Sequence, residues 1–142
     1  MRRSLLLAPL ALALSLAACH KGGGAEAAAA PAPSGPRMPA GVTPALIATG
    51  DSIFHSGGCQ RCHGQKGVGG QNGPSLVAGP WLHSTGKYEE IVQTITTGVP
   101  RTALKDQNRR FPMNGRGGQM NLNDDQVKAV AAYVWSISRD KH

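Results

Sequence analysis

Three stretches of helical apolar period, no convincing strand pair and too few large side chains for an ordinary core predict an all-α domain closed around a bulky apolar group. The chain has 142 residues, of which only 4% are aromatic, with 19 glycines and 10 prolines. That length allows one ordinary domain plus accessory segments. A helical domain so poor in aromatics needs apolar bulk from elsewhere. The stretches Gly64 to Gly86 and Val99 to Leu122 are rich in glycine, proline and asparagine. Loops of that length are uncommon in a compact helical domain unless they wrap something.

The first predicted helix begins after Thr43. Leu46, Gly50, Ile53 and Phe54 recur at the spacing of one helix face. Thr43 can cap the helix and Pro44 suits its first turn. The pair Gly57-Gly58 ends it. A second helix is read from "GKYEEIVQTITTG", where Tyr88, Ile91, Val92 and Ile95 share a face. Glu89 and Glu90 suit its positive end, and Gly98 is a stop signal. The third, "NDDQVKAVAAYVWSISRDK", opens on Asn123 with Gln126 three residues later, a capping box. Its buried stripe is Val127, Val130, Ala131 and Val134, and Arg139 and Lys141 suit its negative end.

The amino-terminal segment reads as an address. Arg2 and Arg3 precede an apolar run from Leu5 to Ala18, too short to span a bilayer, which needs about 20 residues. This is the pattern of a bacterial export signal over residues 1–18. "LAAC", ending at Cys19, resembles the lipobox of bacterial lipoproteins, which implies lipidation of Cys19. Plain secretion with Cys19 as a spare thiol is the alternative. Residues 19–42 are dominated by glycine, alanine and proline and read as a tether. The folded domain is assigned to residues 43–142. Loss of Arg2 and Arg3 lowers the formal charge from +7 to +5. There is no dense basic run with interleaved aromatics, so nucleic-acid binding is not expected.

The chemistry lies in "CQRCHG", Cys59 to Gly64. Zinc would need Cys59, Cys62, His63 and a fourth ligand, His55 or His83, with adjacent residues awkward as joint ligands. A thioredoxin-like dithiol needs a βαβ context, which is missing. Haem attachment needs two thiols a short fixed distance apart and a histidine beside them for the iron. The exported chain, the preceding amphipathic helix and the glycine-rich loop that follows favour haem.

From Thr43 to His142 the order helix, CxxCH, loop, helix, methionine loop, final helix resembles a class I cytochrome c, and in part c-type domains that serve bacterial terminal oxidases. The resemblance implies one haem c with iron, bound through thioethers to Cys59 and Cys62, with His63 as proximal ligand. It implies that the Pro74 carbonyl, in "NGPSL", accepts the His63 ring N–H. Gly50 and Phe54 match the helix pair that packs on Tyr133 of the final helix.

"MNGRGGQMNLNDD" places Met113 as sixth ligand, although Asn114 stands where the family has proline and Pro112 precedes instead. Met120 is the runner-up, close to the Asn123 cap with little loop left to turn inward. His83 is the outside candidate. His20, His55 and His142 are assigned solvated or packing roles.

Arg101, Lys105, Arg109, Arg110 and Arg116 face a single acid, Asp106, within their own segment. This predicts a basic rim that steers acidic redox partners. The expected protein is a periplasm-facing, lipid-anchored carrier of single electrons and not an enzyme, or an electron-transfer subunit of a redox complex. A gas sensor or peroxidase-like haem protein is the alternative if the sixth ligand is missing. His20 after Cys19 is not the aspartate associated with inner-membrane retention, which points to the outer membrane.

Overall fold

The computed structural model describes residues 37–78 and 80–139. The signal segment, Cys19, most of the tether, Lys141 and His142 lie outside the described residues. Helix α1 spans Pro44–Ser56, α2 Cys59–His63, α3 Tyr88–Thr97 and α4 Asp124–Ile137. Two short strands, β1 at Gly98–Val99 and β2 at Met113–Asn114, pair antiparallel. Between β2 and α4 runs an irregular 3-10 segment, Gly115–Met120. Among the described residues no helix is long and apolar enough to cross a membrane.

The helix ends follow their sequence signals. The Thr43 hydroxyl oxygen accepts from the Leu46 amide at 3.1 Å. At α4 the capping box closes in both directions: the Gln126 amide donates to Asn123 Oδ1 at 2.9 Å, and the Asn123 amide donates to Gln126 Oε1 at 3.0 Å. Helix α3 stops at Gly98, whose φ of 73° suits a residue without a side chain. That conformation turns the chain directly into β1.

The core lies where α1 and α3 pack on α4. Gly50 lets α1 approach α4 closely: a Cβ there would fall 1.9 Å from the Ala129 carbonyl oxygen and 2.9 Å from the Tyr133 Cβ. Phe54, 1% exposed, stacks obliquely on Tyr133 with ring centroids 5.2 Å apart. Burial of such a side chain contributes about 1.5–3 kcal/mol. The Tyr88 hydroxyl of α3 donates to the Lys128 carbonyl of α4 at 3.3 Å. Helix α4 is buried on more than the expected stripe, with Ala129, Ala132, Tyr133 and Trp135 also inside. It is the central element, covered on several sides.

Two expectations need correction. A strand pair does exist, but two residues per strand carry no alternation for a period to reveal. The CxxCH stretch is itself a helical turn, too short to announce itself by periodicity.

Candidate functional site

Helix α2 places three reactive side chains on one short turn. Cys59 and Cys62 are three residues apart and His63 is four from Cys59, so all three fall on the same side. All three line a cavity of about 490 Å³. Burial pushes the Cys59 thiol up, opposed by its own backbone hydrogen bond and helped by Cys62.

The His63 ring is fixed from behind. Its Nδ1 lies 3.0 Å from the Pro74 carbonyl oxygen. A carbonyl can only accept, so Nδ1 carries the proton and Nε2 keeps its lone pair, the form a metal requires. Burial holds His63 below the ordinary histidine range, opposed by the Pro74 bond and helped by the charge of Arg109. The chain reaches this position through small residues. A Cβ on Gly73 would meet the Cys62 carbonyl at 2.7 Å and His63 Nδ1 at 3.0 Å. Gly64, at φ 76°, turns the chain so that the Gly69 amide donates back to the His63 carbonyl at 2.6 Å.

Facing side chains close the cavity. Phe54 from α1, Ile91 and Ile95 from α3, and Val130 and Val134 from α4 give it an apolar wall. Trp81 joins them from the long loop, a lining residue that sequence reasoning missed because no period marks a loop. Met113 lines the same cavity from β2, where its register partner is the buried Val99. His83 lines it too but is exposed.

Met120 overturns one expectation. It does turn inward and lines the cavity. Its sulfur accepts the Gly58 amide at 3.2 Å, just ahead of the CxxCH turn. The left-handed turns at Arg116, Gly117 and Gly118 tighten the segment enough to bring it in.

The expected basic rim is only partly assembled. Lys105 and Arg109 line the cavity, whereas Arg101, Arg110 and Arg116 do not. Arg116 is held by an acid from outside its segment, with Nη2 2.7 Å from Asp124 Oδ1, and it also donates to the Leu122 carbonyl at 2.9 Å. Arg116 holds Asp124 below the usual carboxylate range. Arg61, inside the CxxCH turn itself, is exposed at the cavity edge and belongs with the rim. Phe111, 56% exposed, lines the same cavity.

The cytochrome c family model matches residues 47–138. The chain belongs to the cytochrome c family. The expected all-α fold is therefore that of a c-type cytochrome, its cofactor is covalently bound haem c with iron, and its function is electron transfer.

The residues present fit that group. Two thiols and an oriented imidazole sit on one turn, two thioethers, Met113 and Met120, line the same cavity, and much of the wall is apolar. Arg109 adds an independent mark. Its Nη1 donates to the Gly70 carbonyl at 3.0 Å. Its buried Nε lies 3.2 Å from Asp106 Oδ2, yet no acceptor is aligned to satisfy it. Haem carries two carboxylates, the type of acceptor such a donor lacks. The zinc alternative lacks this support: among the described residues no group of three or more His, Cys, Asp or Glu side chains is placed to hold a metal ion by itself.

The cytochrome is 32% identical over 93 residues to the cbb3-type cytochrome c oxidase subunit CcoP of Cereibacter sphaeroides, a match covering 66% of this chain and 31% of that subunit. It is 35% identical over 104 residues to the cbb3-type cytochrome c oxidase subunit FixP of Azorhizobium caulinodans, covering 68% of this chain and 29% of that subunit. The chain thus spans about a third of the length of these relatives. No solved structure gives a significant match.

Proposed function

We propose that this cytochrome is a monohaem carrier of single electrons that exchanges them with a membrane redox complex of the terminal-oxidase type. In this reading Cys59 and Cys62 would form the thioethers, and His63 and Met113 would supply the two protein ligands to the iron. The observation that carries it is the His63–Pro74 hydrogen bond at 3.0 Å, set in a cavity that Met113 also lines.

Haem c supplies the one-electron couple. The protein's residues set its properties. Pro74 holds the His63 ring in one tautomer and makes Nε2 more basic. A methionine thioether at the sixth position raises the potential and closes it to small ligands. The apolar wall from α1, α3 and α4 excludes water and disfavours added positive charge, which also favours the reduced state. Both axial side chains sit on short, pinned elements, so little needs to move with each electron. In this reading the protein acts as a free carrier or as an electron-transfer subunit of a redox complex.

Optical spectra of the purified protein, ferric and ferrous, with and without CO, test this. The expected result is sharp low-spin ferrous bands, a weak red iron–thioether band in the ferric form and no CO response. A CO-shifted spectrum would sink the carrier reading in favour of the sensor or peroxidase.

The location is part of the same reading. Residues 1–18 direct export, Cys19 is lipidated, the tether to residue 42 spans from membrane to domain, and the domain faces the periplasm from the outer membrane. An anchor of several acyl chains would be stable. Mass spectrometry of the mature amino-terminal peptide should find an acylated Cys19, and Cys19→Ser should release the protein from membranes.

A further inference from the structure

With Met113 assigned to the iron, Met120 has no function in the reading above, yet its surroundings are built to fit it. The first amides of a helix have no partner within it. Helix α2 is capped by Gly58, which has no side chain to help. The Met120 sulfur takes the Gly58 amide at 3.2 Å. The space around it is cleared from two directions. A Cβ on Gly57 would fall 2.1 Å from Met120 Cε and 2.3 Å from its sulfur, and one on Gly117 would fall 3.2 Å from the sulfur. Gly57 precedes the CxxCH turn, whereas Gly117 belongs to the segment that follows Met113.

We propose that Met120 is a positioning residue that fastens the Met113 loop to the turn bearing Cys59, Cys62 and His63. The inference rests on Met113 being the sixth ligand. The two side chains assigned to the iron come from segments fifty residues apart in sequence, and both line the cavity. Between them Met120 forms a direct link through the Gly58 amide. Loosening it would let the Met113 thioether leave more often, without changing which residue coordinates.

The test compares Met120→Leu, which keeps bulk and removes the acceptor, with Met120→Ala and with Met113→Leu. The readouts are the rate at which cyanide replaces the sixth ligand in the ferric protein, the temperature at which the iron–thioether band is lost, and the potential. Loss of one hydrogen bond of ordinary strength predicts an increase in cyanide binding of between about twofold and tenfold for Met120→Leu. The band should persist at room temperature, be lost at a lower temperature, and the potential should fall. Met120→Ala should exceed this, and where it fails to mature, Met120→Leu decides. If Met120→Leu keeps wild-type values in all three readouts while Met113→Leu abolishes the band, the positioning role is overturned and the ligand assignment stands. If Met120→Leu abolishes the band and Met113→Leu retains it, Met120 is the ligand and both readings fall.

Discussion

The carbonyl oxygen of Ala129 lies 1.9 Å from where a Cβ on Gly50 would sit. Helices α1 and α4 therefore meet backbone to side-chain-free backbone, and the obstructing atom is main chain that no rotamer change can move. Gly50→Ala should destabilise the protein by about 1–3 kcal/mol or more through overpacking. Denaturant unfolding of the holoprotein would show it as a lower midpoint with an unchanged slope. Phe54→Ala, by opening a void at the same interface, should cost about 3–5 kcal/mol.

Arg109 places a positive charge close enough to depress His63. The same charge disfavours the oxidised iron site. Replacement by glutamine should lower the reduction potential on the order of 50 mV, measured by redox titration. An unchanged or higher potential would show that the guanidinium does not act on the iron.

The Arg116–Asp124 pair joins the methionine loop to the start of α4. The sign follows from the depressed carboxyl of Asp124: the pair's contribution is present above the unfolded value and is lost as pH falls through the lower folded one. Asp124→Asn should lose the iron–thioether band at a lower temperature than the wild type at neutral pH. The gap should close only below the ordinary aspartate range. A gap that persists in strong acid would mean that the pair is not its source.

Lys105, Arg61 and Phe111 are each exposed and each line the cavity. Electron exchange with an acidic redox partner should slow steeply as salt rises. Lys105→Glu should lower the rate at low salt by about tenfold and matter little at high salt. Stopped-flow reduction at several ionic strengths measures both. A rate independent of salt would remove the docking role.

The parts legible in the sequence were those whose physics is local. The Asn123–Gln126 capping box and the Thr43 cap depend on residues three apart. The CxxCH spacing named the two thiols and the imidazole, though not the helical turn that carries them. The period placed Gly50 on an apolar helical face, and its close packing on the final helix was implied by the resemblance to class I cytochromes c. The rest depended on distant partners. Nothing near Met120 in sequence names Gly57 or Gly58, so its inward turn stayed hidden. Asp124 stands at a helix start, and its second task, holding Arg116, emerged only once the loop had folded back. The Val99–Met113 ladder is too short for any pattern.

The cavity also governs when this chain can be a protein at all. Left without its group, the cavity of about 490 Å³ would admit water against a largely apolar wall, and the stabilisation a bound group brings to the folded state would be missing. The whole stability of a domain this size is only about 5–15 kcal/mol. Cofactor attachment would then complete the fold, and a copy that never met the attachment machinery would be the easier target for proteases.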